Sequence, residues 1–153
     1  MTLGGAVTAW AVAPRLADEL EREARAAAQS EACGLLLGRV RSGCAEVHVA
    51  FGARNVDRRP ARFRIDPVDQ LSAESAASAA GLEVLGAWHS HPGGRTSPSA
   101  ADLSGSAYPL LAVVALSATG QGSCAAVIEA WWVVSGAVDQ PLGSPRHGFA
   151  TRR

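Results

Sequence analysis

The sequence predicts a single α/β domain, and three observations predict it. At 153 residues and 48% hydrophobic, the chain is long enough to bury one sizeable core and short for two. Apolar runs of strand length recur along it, at residues 32–40, 82–88, 110–116 and 125–134, and two stretches of helical spacing separate them. Neither an internal repeat nor an interdomain linker interrupts the pattern.

Residues 6–13 read as a first strand. Pro14 suits the opening turn of a helix, which should run to about Gln29, because Leu16, Leu20, Ala24, Ala27 and Ala28 recur on one face. On the opposite face, Arg15/Glu19 and Glu21/Arg25 are i,i+4 pairs of a solvated surface. Strands follow at 32–40 and 45–51, joined by the hairpin turn Arg41-Ser42-Gly43. His48 alternates with Val47 and Val49 and is expected to face solvent. Residues 54–64 carry five arginines, with Asn55 and Pro60 marking a loop able to steer an acidic partner. Asp66-Pro67 is an N-cap followed by a first-turn proline, opening an Ala/Ser-rich helix to about Ala80. In the strand at 125–134, one of Trp131 and Trp132 should face the core and the other the opposite surface. Gly, Pro and Arg dominate from Ser135, and residues 143–153, including His147, are expected to form a loosely ordered tail after a domain of residues 1–142.

Charge and cysteine usage narrow the setting. The net charge is zero, which argues against a nucleic-acid or membrane partner. All fourteen basic residues are Arg, so no side chain can accept an isopeptide-linked modifier. Cys33, Cys44 and Cys124 form no metal-binding or disulfide spacing and fit reduced thiols of a cytoplasmic protein. No segment has the ~18 apolar residues of a membrane span, and the N-terminus lacks the basic start of a signal peptide.

The chemistry concentrates in HSHPGGRTSPSAAD, residues 89–102. Alternate residues of a strand share a face, so His89 and His91 stand together while Ser90 points away. Ser99-x-x-Asp102 has the form of a capping box that starts a helix at about 100–107, and such a box would fix where Asp102 points. Two imidazoles and a carboxylate make a three-ligand site for a divalent ion, leaving a tetrahedral ion one open position for water, as in catalytic zinc sites. Glu31 is the candidate general base, at a helix-to-strand junction from which a carboxylate can reach a cleft. Cys33 as a nucleophile lacks a designated His partner.

Taken together, Glu31-Ala32-Cys33-Gly34-Leu35-Leu36, His89-Ser90-His91-Pro92 and Ser99-x-x-Asp102 resemble the JAMM (JAB1/MPN/Mov34) metalloproteases, especially small stand-alone prokaryotic members. The likeness extends through Ala53-Arg54-Asn55-Val56 and Phe63-Arg64-Ile65-Asp66-Pro67 to the strand at 125–132. It departs at Gln29, where the family often has Pro. The resemblance implies an MPN/JAB1 fold, a curved mixed β-sheet flanked by helices and akin to cytidine deaminases. It implies one catalytic Zn2+ on His89, His91 and Asp102, Glu31 as base, and Ser99 as a donor to the oxyanion. Members that have lost catalysis typically lack one of these residues, and this chain lacks none. The implied substrate is a ubiquitin-like or sulfur-carrier protein cleaved after its C-terminal Gly-Gly, at a peptide or isopeptide bond. The Gly93-Gly94 loop would allow a tail close approach, or is a plain turn. Three alternatives stay open: hydrolysis of another peptide or small-molecule amide, a non-catalytic MPN scaffold, and a RadC-type protein, whose usual Asn between the histidines is Ser90 here. A homodimer is also left open.

Overall fold

A computed structural model describes residues 6–27, 30–59, 61–117 and 125–149. The elements, in chain order, are β1 (Ala9–Val12), α1 (Leu16–Ala26), β2 (Cys33–Arg41), β3 (Cys44–Ala53), α2 (Pro67–Ala79), β4 (Glu83–His91), α3 (Ala100–Ser104), β5 (Leu110–Ser117), β6 (Ala125–Val134), β7 (Ala137–Gly143) and β8 (Arg146–His147). The strands form one mixed sheet in the order β7-β6-β5-β4-β2-β3-β1-β8. β4 lies between antiparallel β2 and parallel β5, with His89 opposite Cys33 on one side and Val113 on the other.

Helices cover both faces of the sheet, which explains why β2 and β5 read as continuous apolar runs rather than alternating ones. On one face Leu16, Leu20 and Ala24 of α1 pack with Leu36, Trp88, Ala112 and Val114. On the other, Ala73 and Ala77 of α2 pack with Leu35, Leu37 and Ala87. Trp132 packs against the α1-side core, and its neighbour Trp131 lies on the opposite side of the strand.

Local chemistry sets the element ends. The β2–β3 hairpin closes through Ser42 (φ 49°) and Gly43 (φ 74°), the two positive-φ residues that a two-residue turn between twisted strands requires. Asp66 caps α2 by accepting the Val68 N–H at 2.8 Å, with Pro67 at the first helical position. Among the described residues no helix is long and apolar enough to cross a membrane.

Several expectations shift. α1 is shorter than its apolar stripe suggested, ending at Ala26 with Ala27 as its cap; Ala28 and Gln29 lie outside the described residues, as do Pro60 and Cys124. α3 stops at Ser104 because Gly105 follows as its cap. His48 is half-buried rather than solvent-facing: the Phe149 ring lies over it with ring centroids 4.5 Å apart. In the segment expected to be loosely ordered, Arg146 and His147 form β8, paired parallel to Ala11 and Val12, and Gly148 donates its N–H to Val12 O; residues 150–153 lie outside the described residues.

The approach of β4 to β5 depends on a missing side chain. A Cβ at Gly86 would meet Leu110 O at 1.9 Å and Leu110 Cβ at 2.5 Å, both held in the parallel ladder. Gly86→Ala is therefore expected to cost about 3 kcal/mol of stability, at the upper end for overpacking. A denaturant midpoint unchanged from that of the parent would show that the two strands can part without loss.

Candidate metal centre

The histidines stand at the C-terminal end of β4, where ligands of open sheets commonly gather. Their fixed alternation puts both rings on the α2 side, while Trp88 and Ser90 point towards α1 or back into the sheet. His89 Nε2 and His91 Nε2 are 2.9 Å apart, and Asp102 Oδ2 lies 3.0 Å from the first and 3.4 Å from the second. Each of the three residues is buried, and their ligand atoms fall within 4.8 Å of one another.

Asp102 reaches this position through the first turn of α3. The capping box is complete: Asp102 N–H donates to Ser99 Oγ at 3.1 Å, and Ser99 N–H donates to Asp102 Oδ2 at 2.7 Å. One carboxylate thus starts the helix and closes the cluster. Ser99 Oγ is the acceptor in this pair, which leaves its hydroxyl proton free to donate elsewhere.

The two imidazoles are oriented by different means. His91 Nδ1 lies 2.7 Å from Arg95 O, a carbonyl that can only accept, so Nδ1 carries a proton and Nε2 is the nitrogen that faces the cluster. His89 Nδ1 is buried without a hydrogen-bond partner among the described residues. Packing holds that ring instead: Phe63 stacks on it with centroids 4.3 Å apart and planes 17° from parallel.

Glu31 lies at the edge of the cluster, just before β2. Ser90, buried and facing away from the histidines, accepts the Ala32 N–H at Oγ (2.8 Å) and donates its own N–H to Ala32 O (2.9 Å). Asn55 donates to Glu31 O and Arg62 O, both at 3.1 Å, and accepts the Asp57 and Arg64 N–H groups. The Glu31 backbone is held from both sides, while Oε2 of its carboxylate is buried with no partner among the described residues. Burial raises the Glu31 pKa to about 7, against the pull of His91 and with the push of Asp102 and Asp57.

The cluster polarises its own members. Burial would raise the Asp102 carboxyl, but hydrogen bonds from His89, His91 and the Ser99 N–H hold it well below the ordinary carboxylate range. His89 is pushed down by burial, more than Asp102 draws it up. At His91 burial is outweighed by Asp102, Arg95 O and Glu31, and the pKa rises. The result is an ionised carboxylate beside a His89 that favours the neutral form and a His91 that favours a second proton, which a bound cation would displace. Two nitrogens and one oxygen converging on a point, each an acceptor once ionised or neutral, suit a divalent cation; the donor chemistry of His89, His91 and Asp102 fits one.

A cleft of about 510 Å3 opens beside Asp102, between the 57–65 loop, α2 and the α3–β5 connection. Phe63, Ile65, Tyr108 and Leu111 give it an apolar floor, and Arg62 and Arg64 stand on its rim. Of the arginine-rich segment, Arg54 is paired with Asp66 and Asp69, and Arg59 with Asp57, so Arg62 and Arg64 carry the charge left over at the rim. The Gly93-Gly94 segment does not line the cleft; Gly94 (φ 83°) donates to His91 O in the turn after β4.

Cys33 is not built as a nucleophile. Its Sγ donates to Ala53 O at 3.7 Å, and burial, with Glu31 and Asp69 nearby, pushes the thiol up to about 12 from 9.0. A thiol held there is almost wholly un-ionised at pH 8, where an ordinary thiol carries an appreciable thiolate fraction. Cys33 is therefore expected to stay unmodified by iodoacetamide at pH 8 in the folded protein and to react after denaturation. Rapid native labelling at Cys33, read by peptide mass mapping, would contradict this environment.

Asn55, Phe63 and Ser90 were not singled out for roles in the sequence. Their only signal there was position, within or between the segments that carry the motif.

The mixed curled sheet with this His-His-Asp cluster at the end of its central strand defines a JAB/MPN-type domain. The chain belongs to the prokaryotic homologs of the JAB domain, whose family model matches residues 13–134. Solved structures share the fold. A Desulfitobacterium hafniense protein solved in solution is 26% identical, with 94% of each chain covered and a TM-score of 0.70. A Salinibacter ruber protein is also 26% identical, covering 89% of this chain and 90% of its own, at 0.63. A JAB1/MPN domain protein from Archaeoglobus fulgidus, 14% identical over 93% of this chain and 99% of its own, shares the fold at 0.54. A search of curated proteins returned no match.

Proposed function

We propose that the protein is a zinc-dependent hydrolase that cleaves a peptide or isopeptide bond after the C-terminal Gly-Gly of a ubiquitin-like or sulfur-carrier protein. The observation that carries this reading is the convergence of His89 Nε2, His91 Nε2 and Asp102 Oδ2 beside the buried, unpartnered carboxylate of Glu31. The N2O donor set suits zinc, and three protein ligands are the number found in catalytic zinc sites. When bound, the ion supplies Lewis acidity, polarising the scissile carbonyl and making water acidic enough to attack near neutral pH.

The chain's own groups do the rest. Arg95 O fixes the His91 tautomer, and the Phe63 stack fixes the His89 ring. The Glu31 carboxylate, with Oε2 unpartnered, takes a proton from the attacking water and delivers it to the leaving amine. The Ser99 hydroxyl, already accepting from Asp102 N–H, donates its proton to the oxyanion of the tetrahedral intermediate. The apolar cleft beside Asp102 receives an extended tail, and Arg62 and Arg64 at its rim favour acidic residues in the substrate.

Intact-mass analysis tests the reading. Gly-Gly carriers with short C-terminal extensions, incubated with zinc-loaded protein, are expected to lose the mass of the extension. Zinc uptake with no cleavage of any carrier would keep the site and remove this substrate class.

A further inference from the structure

Five charged residues line the cleft beside Asp102, and three of them are already engaged. Asp102 is tied to the two histidines and to the Ser99 N–H, and Asp57 is paired with Arg59 at 2.8 Å. Arg62 and Arg64 remain, with no ion pair among the described residues. Arg62 reaches the Asp57 carboxylate by its field alone, because Arg59 supplies the hydrogen bonds there. The backbone at both positions is fixed. Asn55 donates to Arg62 O and accepts the Arg64 N–H, and Val56 donates its N–H to Arg64 O. Between them Phe63 stacks on His89. Two unpaired guanidinium groups are thus carried on the residues either side of a ring that touches the metal cluster.

The floor is as selective as the rim. Phe63, Ile65, Ala87, Tyr108 and Leu111 line it. The polar groups on that side bond to one another: the Tyr108 hydroxyl donates to Glu74 at 2.7 Å and accepts from Gln70 Nε2 at 3.0 Å, and Ser106 Oγ donates to Tyr108 O at 2.6 Å. The cleft's volume of about 510 Å3 falls in the roughly 300–1,000 Å3 range of small-ligand pockets. A Gly-Gly tail has no side chain to cover such an apolar floor, so the floor's partner is a different residue of the substrate.

Resting on the hydrolase reading above, we infer that this cleft takes the last residue of the substrate, one with a large apolar side chain, and that Arg62 and Arg64 hold its terminal carboxylate. Guanidinium forks match a carboxylate in a bidentate way. An apolar side chain and a carboxylate sit on one Cα only at a chain's C-terminus, so a single residue there satisfies both floor and rim. In the cleavage, water gives its hydroxyl to the glycine carbonyl carbon and a proton to the α-nitrogen. The C–N bond breaks, and one free amino acid leaves.

Binding and turnover test this separately. N-acetyl-L-phenylalanine and its amide, each with an acyl group on the nitrogen as in the substrate, are titrated into the zinc-loaded protein and followed on the Phe63 and Tyr108 ring resonances. The acid is expected to bind saturably below about 10 mM, a weak small-ligand affinity. It should bind about tenfold more tightly than the amide, through charge-assisted hydrogen bonds, and more tightly than N-acetylglycine, which leaves the floor uncovered. Arg62→Gln combined with Arg64→Gln should bring the acid down to the amide. Both substitutions spare the Asn55 bonds, which reach only backbone at 62 and 64, so the fold persists. Gly-Gly carriers extended by one Phe should likewise be cleaved with about tenfold higher kcat/KM than carriers extended by Phe-amide, a difference the double variant erases. Equal binding of acid and amide, an acid preference that survives the double variant, or ring resonances that do not move would overturn the inference. Acid-selective binding with no carrier cleaved would keep this pocket and remove the carrier as substrate.

Discussion

Glu31→Gln is expected to take up zinc as the parent does while its turnover of a Gly-Gly carrier falls by about 10²–10⁴-fold, the usual contribution of a positioned general base. The Glu31 carboxylate is isolated. The Glu31 backbone is pinned through Asn55 and the Ser90–Ala32 pair, and its Oε2 meets no protein group among the described residues, so the carboxylate has no visible structural duty. Gln keeps the shape and removes the ability to carry a proton. Because burial raises this carboxyl to about 7, its ionised form is disfavoured in the folded state. Stability is therefore lost as pH rises from the ordinary carboxylate value through 7, and the neutral amide should melt no lower than the parent above that pH. Zinc content by elemental analysis, turnover by intact mass and melting temperature separate these effects. Full activity in Glu31→Gln would remove Glu31 as the base.

Asp102→Asn is expected to lower zinc affinity by more than ~100-fold, since even outer-shell partners of metal ligands are worth ten- to a hundredfold. Asn is chosen because Asp102 has two duties. An amide oxygen still accepts the Ser99 N–H and keeps the α3 cap, whereas Ala would lose about 1 kcal/mol of capping as well. The comparison of Asn with Ala thus separates loss of a ligand from loss of a helix start. Competition with a chromophoric chelator measures the affinity, and an unchanged value in Asp102→Asn would place the ion elsewhere.

How much of this was legible beforehand can be read from particular residues. His89, His91 and Asp102 were legible because a strand's alternation and a capping box's spacing are local rules, and the structure brings those three together. Glu31 is a candidate from its junction position alone, and its role as base comes from the resemblance to the JAMM family. Asp66-Pro67 announced α2 for the same local reason. The sheet order was not legible, because β1 pairs parallel with β3 through contacts far apart in sequence. β7 was missed although its signal was present. Ser135 and Gly136, at φ 51° and 74°, repeat the Ser42-Gly43 turn of the first hairpin. Asp139, Gln140 and Pro141 masked the strand that follows, because an edge strand needs no buried face to be held by its neighbour. The Phe63 stack on His89 and the cover of Phe149 over His48 are tertiary contacts that no local pattern encodes.

The period of two in β4 assigns odd and even residues to different trades: 89 and 91 to chemistry, 88 and 90 to construction. Length is therefore guarded more strictly here than identity. Adding or deleting one residue between Leu82 and Trp88 would rotate the strand by one face. The indole would then enter the cleft and the imidazoles would lie under α1, with every ligand still present in the chain. Variation among working versions of this protein should accordingly substitute freely at the exposed Glu83, keep Leu82 and Val84 apolar against the α2-side core, and never change the count of residues from there to His91.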